Sequence, residues 1–275
     1  MSASPTQPDP TSINAVERFR RRMDDGHVCL GMSITLPDPI VSEVAVEAGY
    51  DFIWIENEHS YQTTRDVMAH ILTVRGTGVA PVVRVPVNDP AVIKPYVDLA
   101  PAAIVVPLIR SAAEAAAAVK ACRYPPAGVR GFGPIRNMGH GRLEFDEYLE
   151  QAAQQVMVIV QVEHVDAVDD LDALLDTPGL DGICLGRNDL SGSVGKLGRY
   201  DDPQVRGMID TLLDKCARRD LYLGASLGPD WDSIKEWASR GMRWFGVGDD
   251  IDYLVGGARQ TMAEFRAAMS ELGRK

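Results

Sequence analysis

The sequence predicts a single-domain α/β fold of the (β/α)8 barrel type. Eight short apolar runs alternate with eight crossover segments of helical spacing, a pattern typical of a closed parallel sheet. The chain of 275 residues has the length at which such a barrel forms one domain. No G-x-G-x-x-G follows a strand and no Walker loop occurs, which disfavours a doubly wound nucleotide-binding sheet.

Each predicted strand is a short apolar run bounded by polar residues or glycine. Runs of this kind, without polar alternation, are typical of strands buried on both faces of a parallel sheet. In chain order, the predicted strands are residues 28–34, 51–55, 80–86, 102–107, 157–162, 182–186, 222–226 and 243–248.

The segments between the strands have helical spacing, and local signals predict several of their ends. Pro39 begins the helix after the first strand and Gly49 ends it. Ser111 and Glu114 form a capping box in the fourth crossover. One helix is predicted before the first strand, and the fourth crossover contains two. The predicted helices are residues 13–25, 40–48, 63–76, 91–99, 111–123, 144–155, 165–175, 202–219, 230–241 and 251–272.

One long irregular segment interrupts the alternation, at residues 124–143. It opens with a rigid turn that contains Pro125, Pro126 and Gly128. A loop of this length in a compact domain indicates a functional segment or an interface.

The composition is that of a globular protein, with 45% apolar and 24% charged residues. The formal net charge of −11 disfavours nucleic acid as a partner. Such a field also repels anionic substrates at long range, so an anion site has to be built locally from arginines.

Several features predict a cytoplasmic enzyme. The four cysteines form no C-x-x-C pair and indicate buried thiols in a reducing compartment. No apolar run approaches about 18 residues, so no membrane span is expected. Residues 1–12 are polar and lack an apolar core, which predicts a disordered tail rather than a signal peptide, ahead of a barrel at residues 13–275.

Two carboxylates follow neighbouring predicted strands. Glu163 comes directly after the fifth strand and Asp189 shortly after the sixth. Because the C-terminal ends of parallel strands face one crevice, the two side chains are expected to lie close together. Carboxylate oxygens, a carbonyl and waters suit a hard divalent ion such as Mg²⁺ or Mn²⁺. The alternative is that each carboxylate caps a helix or is solvated in its loop.

Two further groups follow predicted strands on the same side of the barrel. Arg84 lies in the apolar third strand, and it either pairs with a core carboxylate or binds a substrate carboxylate bidentately. His59 follows the second strand, just after Glu56 and Glu58. It is either a structural histidine or a general base oriented by a carboxylate.

Together these groups predict metal-assisted enolisation of a 2-oxo acid. A bound metal would hold the oxo and carboxylate oxygens and stabilise an enolate, while His59 moves the proton. A Schiff-base mechanism needs a lysine inside the barrel. None of the eight predicted strands contains one.

Five motifs occur in order at the expected barrel positions: Glu58-His59, Val83-Arg84-Val85-Pro86, the turn at residues 124–131, Gln161-Val162-Glu163 and Asn188-Asp189-Leu190-Ser191. Together they resemble the HpcH/HpaI aldolase/citrate lyase family, the metal-dependent class II pyruvate aldolases. The resemblance runs nearly end to end, from Gly31 to about Arg266.

The resemblance implies a (β/α)8 barrel that holds Mg²⁺, Mn²⁺ or Co²⁺ on Glu163 and Asp189. It implies pyruvate-type enolate chemistry in which Arg84 stabilises the enolate and His59 acts as the base. The substrates would be a small 2-oxo acid and an aldehyde.

The resemblance also implies a substrate contact and an assembly. Gln161 would line the site, and Asn188 and Asp189 would contact the substrate. The assembly would be a homo-oligomer, a hexamer built as a dimer of trimers, with active sites near subunit interfaces. The C-terminal helix would pack on a neighbouring subunit.

Two positions depart from the family pattern. The family usually has Asp three residues before the histidine, forming an Asp–His dyad, and Glu56 occupies that position here. One extra methylene moves the carboxylate, which at a catalytic site is costly. The family's Gly-Pro-Ala-Asp or Gly-Pro-Asn-Asp loop has Arg187 as its second residue here. Arg187 either binds a second substrate carboxylate or points outward to an acidic neighbour.

Two more residues are candidates for specificity. Ser226, at the end of the seventh strand, stands where family members often carry an apolar residue that lines the aldehyde pocket. Arg130 is either a structural part of its Pro-Pro-Gly turn or binds the acceptor from a neighbouring subunit.

The leading hypothesis is a carbon–carbon lyase that cleaves or forms 4-hydroxy-2-oxo acids. A synthase of the same superfamily, similar to the siderophore citrate synthases, would join the enolate to another acceptor, and Glu56 and Arg187 keep this option open. A CoA-ester lyase is disfavoured by the Glu58-His59 motif. The remaining alternative is an inactive barrel that serves as a binding protein.

Overall fold

The structure, a computed structural model, describes residues 13–274. The predicted tail at residues 1–12 therefore lies outside the described residues. Within residues 13–274, no helix has both the length and the apolarity that a bilayer span requires.

Eight parallel strands close into a barrel in chain order, with the first strand paired to the last. This confirms the predicted (β/α)8 fold and its single domain. The strands are β1 Cys29–Ile34, β2 Phe52–Glu56, β3 Ala80–Arg84, β4 Ala103–Ile109, β5 Met157–Val162, β6 Gly182–Leu185, β7 Tyr222–Leu227 and β8 Trp244–Asp249.

The described residues form twelve helices around the barrel. They are α1 Val16–Asp24, α2 Ile40–Glu47, α3 Thr64–Thr73, α4 Pro90–Asp98, α5 Ala112–Cys122, α6 Phe145–Gln151, α7 Val165–Asp169, α8 Leu171–Leu175, α9 Arg187–Ser193, α10 Pro203–Cys216, α11 Trp231–Ser239 and α12 Asp250–Glu271.

The helix predicted at residues 165–175 is two short helices, α7 and α8. They meet at Asp170, whose carboxylate accepts a hydrogen bond of 2.7 Å from the Ala112 N–H at the start of α5. A second difference follows β6, where the predicted loop forms the short helix α9. Both differences depend on contacts between elements, which helical spacing does not report.

Large aromatic side chains fill the inside of the barrel. The rings of Trp54 and Trp244 stack with centroids 5.9 Å apart, and Phe52 packs against Phe19 of α1 at 5.4 Å. Helix α1 thus closes the N-terminal end of the barrel. Gly224 leaves room for the Trp244 ring, because a Cβ at this position would collide with it.

A second apolar layer lies between the strands and the outer helices, built mainly from Val, Ile and Leu side chains. The four cysteines are buried and free, as predicted. Burial raises the pKa of Cys29 to about 12. The two ends of the strands thus differ: aromatic side chains fill the interior toward the N-terminal end, while polar and charged side chains surround the C-terminal end.

Candidate active site

A cavity of about 400 Å³ opens at the C-terminal ends of the strands. It brings together most of the predicted site residues. The residues that line it are Ser33, Thr35, Glu56, His59, Arg84, Gln161, Gly186, Arg187, Asn188, Asp189, Ser226, Leu227, Gly228, Gly246, Gly248 and Asp249.

Arg84 and Glu56 form a buried ion pair at one side of the cavity. They are direct partners in the β2–β3 register, and the Arg84 Nε donates to Glu56 Oε2 at 2.7 Å. The indole of Trp54 donates to the same oxygen at 3.0 Å. Burial by itself raises the pKa of Glu56, but the charge and hydrogen bonds of Arg84 outweigh it and hold this pKa below its ordinary value. Glu56 is therefore ionised and fixes the guanidinium.

His59 lies at the rim of the cavity, with 68% of its side chain exposed. Glu56 does not contact its ring. Instead, Glu56 Oε1 accepts hydrogen bonds from the backbone N–H groups of Glu58 and His59, at 2.6 and 3.0 Å. The carboxylate near the ring belongs to Glu58, whose Oε2 lies 3.9 Å from His59 Nε2. The dyad suggested by the family pattern is thus not formed by Glu56 in this structure.

Glu163 lies directly after β5 and is almost fully buried. Its Oε1 accepts from the Leu108 N–H at 2.7 Å, and its Oε2 accepts from Gln161 Nε2 at 2.5 Å. Burial raises its pKa to about 7, and the negative charges of Glu58 and Asp189 add to this effect. Glu58 and Asp189 are thus close enough for their charges to act on the Glu163 carboxylate.

Asp189 lies in the first turn of α9 and lines the cavity. The loop that leads to it passes close to Glu163, and Gly186 makes this approach possible. A Cβ on Gly186 would lie 2.5 Å from Glu163 Oε2 and 2.9 Å from Gln161 Nε2. The glycine thus lets the β6 end approach the β5 end.

Arg187 and Asn188 are held by residues outside the cavity. Arg187 Nη1 donates to Asp230 Oδ2 at 2.6 Å, and the guanidinium lies 4.2 Å from the centroid of the Tyr200 ring. The Tyr200 hydroxyl donates to Asn188 Oδ1. Arg187 therefore pairs with an acidic neighbour, which is one of the two alternatives drawn from the sequence. These contacts anchor the first turn of α9.

The donor set fits a divalent cation. Among residues 13–274, no three His, Cys, Asp or Glu side chains converge to hold a metal by themselves. Glu163 and Asp189 do provide two carboxylates, and the raised pKa of Glu163 is caused first by burial and then by the nearby charges of Glu58 and Asp189. An ion that takes one or two protein carboxylates and completes its shell with water and substrate oxygens suits this set.

Comparison with known proteins decides the family. The profile of HpcH/HpaI aldolase/citrate lyase matches residues 30–255. The chain belongs to this family. The sequence-based resemblance is therefore confirmed over most of the barrel.

Two relatives in the HpcH/HpaI family are named aldolases. The chain is 36% identical to the 4-hydroxy-2-oxovalerate aldolase of Rhodococcus jostii, a match that covers 90% of this chain and 94% of the relative. It is 32% identical to the hydroxypyruvate/pyruvate aldolase of Roseovarius nubinhibens, covering 94% and 98%. This chain is accordingly an enzyme, an aldolase or lyase of the HpcH/HpaI family, which acts on small molecules.

Among solved structures, the citrate synthase SbnG has the same fold. Its TM-score is 0.81 at 25% identity, and the match covers 91% of this chain and 98% of that chain. A protein of the same fold is thus named a synthase.

Within this HpcH/HpaI barrel, the structure separates the two remaining candidates. Ser226 lines the cavity from the end of β7. Arg130 does not line the cavity of its own chain. Its side chain is buried, pairs with Asp98 at 2.6 Å and lies over the Tyr124 ring. In the described chain it secures the turn of the long loop.

Sequence reasoning named Glu58 only as a neighbour of His59, and it gave no role to Asp249. Glu58 lies between Arg84 and His59, at 3.1 Å from Arg84 NH1. Asp249 ends β8 and faces the cavity. A signal was available for both, because each is an acidic residue at or after the end of an apolar strand.

Proposed function

We propose that this chain is a divalent-metal-dependent aldolase that cleaves or forms 4-hydroxy-2-oxo acids through a pyruvate-type enolate. The observation that carries the proposal is the grouping of Asp189, Arg84 and Gln161 around one cavity, with the buried Glu163 bonded to Gln161 behind its wall. The names of the two aldolase relatives support the donor and the reaction type.

Glu163 and Asp189 would hold the cation, which the proposal takes to be Mg²⁺, Mn²⁺ or Co²⁺. When bound, such a cation supplies Lewis-acid stabilisation of the negative charge that develops on the 2-oxo oxygen. Metal binding requires an ionised Glu163, and a nearby positive charge opposes the effect of burial on its pKa.

Arg84 would bind the oxygens of the donor and stabilise the enolate. Its guanidinium is oriented by Glu56 and by Glu58, and its NH1 lies 3.4 Å from Gln161 Oε1. A hydrogen-bond donor that is fixed before the reaction needs no reorganisation when negative charge develops on the substrate. Glu56 therefore acts on the reaction through Arg84, while Gln161 links Arg84 to Glu163.

His59 would carry the proton between the donor carbon and solvent. Its ring is exposed at the cavity rim and lies near the Glu58 carboxylate. An exposed position lets the imidazole exchange protons with water after each turnover. The backbone hydrogen bond from His59 to Glu56 fixes the position of this residue relative to Arg84.

Release of pyruvate from a 4-hydroxy-2-oxo acid tests the reaction type. We expect release by the metal-loaded protein, loss of at least 100-fold in Glu163→Gln and Asp189→Asn, and little change in the exposed control Asp166→Asn. Weaker binding of Mn²⁺ by the two variants, measured by calorimetry, gives a readout independent of turnover. Equal release by Glu163→Gln and the control would contradict the proposal.

The second candidate is a synthase that joins the enolate to another acceptor. The likeness to the citrate synthase SbnG favours it specifically. In that case the protein consumes a 2-oxo acid in the presence of an acceptor and releases no pyruvate from 4-hydroxy-2-oxo acids.

The proposed assembly is a homo-oligomer in which α12 packs on a second copy of this chain. Residues 251–268 are exposed along the whole helix. Leu254, Met262 and Phe265 lie on one side of it at helical spacing and are 48–62% exposed. An apolar stripe of this length favours a protein partner over water. The sequence resemblance points to a hexamer, and the unpaired thiols support a cytoplasmic location.

A further inference from the structure

One wall of the cavity has no role in the proposed donor chemistry. It is formed by the C-terminal ends of β1, β7 and β8. Its middle strand, β8, is three strands away from both β3, which carries Arg84, and β5, which leads to Glu163. The wall contains small and polar residues with little apolar surface. Its members are Ser33, Thr35, Ser226, Leu227, Gly228, Gly246, Gly248 and Asp249.

Asp249 is the charged residue of this wall, and its carboxylate is not used to cap the helix that follows it. It occupies the N-cap position of α12 but accepts no capping hydrogen bond. The adjacent Asp250 has the structural role instead. Its carboxylate accepts from the Thr35 hydroxyl at 2.6 Å and from the backbone N–H groups of Thr35 and Leu36 at 2.9 Å.

Two hydroxyl groups lie beside Asp249 in the wall. Ser33 is its direct partner in the β1–β8 register and interacts with its carboxylate. Ser226 borders Gly246, where a Cβ would lie 3.4 Å from Ser226 Oγ. The glycine therefore leaves open space between Ser226 and the end of β8.

The charges around the wall select against an anionic ligand. In the described part of the chain, the arginines that line the cavity are Arg84, paired with Glu56 and Glu58, and Arg187, paired with Asp230. Neither is available to a carboxylate at the β8 wall. Burial raises the pKa of Asp249, and nearby acidic residues add to this, while Ser33 opposes it. A ligand with hydroxyl donors suits this environment, whereas a second carboxylate is repelled.

We propose that Asp249, with Ser33 and Ser226, binds a hydroxyl group of the aldehyde acceptor, so that the acceptor is a neutral hydroxyaldehyde. The assignment rests on the proposed aldolase function and names the acceptor of that same site. Asp249 accepts the hydrogen bond from the hydroxyl group, and the two serines add donor and acceptor capacity. The aldehyde carbon then faces the donor side of the cavity.

The test compares aldol addition of pyruvate to glyceraldehyde, to propanal and to succinic semialdehyde. The readout is the ratio of kcat/KM for glyceraldehyde to kcat/KM for propanal, because this ratio cancels any general loss of activity. We expect the ratio to fall about 10- to 100-fold in Asp249→Ala, the loss typical of one hydrogen bond to a charged group. Succinic semialdehyde should become a few-fold better substrate in the same variant.

Two further variants make the test specific. Asp249→Asn keeps the shape and an acceptor oxygen, so its ratio should fall between those of Asp249→Ala and the wild type. Asp232→Ala removes a fully exposed carboxylate of α11 that does not line the cavity, and it should keep the wild-type ratio.

Three results would overturn the assignment or its basis. Equal losses of kcat/KM for glyceraldehyde and propanal in Asp249→Ala would show that the residue supports folding or the reaction of the pyruvate donor, not binding of the acceptor hydroxyl. A wild-type preference for succinic semialdehyde over glyceraldehyde would contradict a neutral acceptor. Absence of metal-dependent exchange of the pyruvate methyl protons in the wild type would remove the proposed function itself, and the acceptor assignment with it.

Discussion

Glu56 connects three parts of the site through one carboxylate. It bonds Arg84, the Trp54 indole and the backbone of the loop that carries His59. The sequence predicted the position of Glu56 at the end of β2. It did not predict these partners, because they depend on how the chain turns after the strand. The extra methylene relative to Asp lets the carboxylate reach the guanidinium and the loop together.

We predict that Glu56→Gln lowers kcat about 10- to 100-fold, because Arg84 loses the charge that orients it. The same change should lower the free energy of unfolding by about 3 kcal/mol, the lower end of the range for a broken buried ion pair, since Glu58 still contacts Arg84. Steady-state kinetics and urea unfolding measure the two effects. Glu47→Gln, an exposed change on α2, is the control. Unchanged kcat in Glu56→Gln would show that Arg84 needs no partner.

Other residues of the site were predictable because they follow apolar strands. Arg84, Glu163 and Asp189 stand at the C-terminal ends of three strands, and the barrel closes these ends around one cavity. Arg187 was not predictable in the same way. Its partner Asp230 is distant in sequence and meets it only because β6 and β7 are neighbours.

Helix α9 shows how neighbouring elements support the site. Its first turn carries Asp189, and its first residue, Arg187, is tied to Asp230 at the N-cap of α11. The Arg187 hydrogen bond is the largest effect that lowers the pKa of Asp230, which falls to about 2. The pair is thus ionised over the whole physiological range and holds α9 against α11.

We predict that Asp230→Ala weakens Mn²⁺ binding and activity about 10-fold or more, because α9 loses its anchor and Asp189 its position. Calorimetric titration with Mn²⁺ measures the first effect. Asp232→Ala, two residues along and fully exposed, should behave as wild type. Identical affinities for the two variants would contradict a positioning role for the ion pair.

Helices α2 and α3 meet at a buried histidine. The ring Nδ1 of His70 lies 2.8 Å from the Ser42 hydroxyl oxygen. Burial lowers the pKa of His70 below its ordinary value of 6.5, and nearby groups offset this only in part. The folded protein therefore binds fewer protons here than the unfolded chain at pH below 6.5.

It follows that acidification below pH 6.5 reduces stability, because the unfolded state takes up a proton that the folded state does not. We predict that His70→Gln flattens this part of the pH–stability curve, measured by urea unfolding between pH 5 and 7. His27→Gln, at an exposed position, should leave the curve as it is in the wild type. A curve of wild-type slope in His70→Gln would show that other groups cause the acid sensitivity.

At the scale of the whole molecule, the fold was predictable because its signal is repeated eight times. The strand length, the apolar run and the polar or glycine residues that bound it recur in each repeat, so an error in a single element does not change the architecture. The prediction of one helix at residues 165–175, where the structure has α7 and α8, is such an error. The proposed assembly is not encoded as a repeated pattern, and its support within the described residues is the exposed apolar face of α12.

We predict that Phe265→Glu and Leu254→Glu dissociate the oligomer, because each places a charge in the apolar stripe that is proposed to contact a second copy. Sedimentation velocity at several concentrations measures the mass. Gln260→Glu, which lies on the opposite face of α12 by helical spacing, should leave the mass unchanged. A monomeric wild type would contradict the proposed assembly.

The central claim is that Glu163 and Asp189 support metal-dependent enolisation of a pyruvate-type donor. Exchange of the pyruvate methyl protons with deuterium, followed by NMR, tests it without knowledge of the acceptor. We predict exchange by the wild type only after addition of Mg²⁺, Mn²⁺ or Co²⁺, loss of exchange in Glu163→Ala and Asp189→Ala, and slower exchange in Arg84→Ala. A folded wild-type protein that binds metal and catalyses no exchange would contradict the claim and favour a different donor in a synthase reaction.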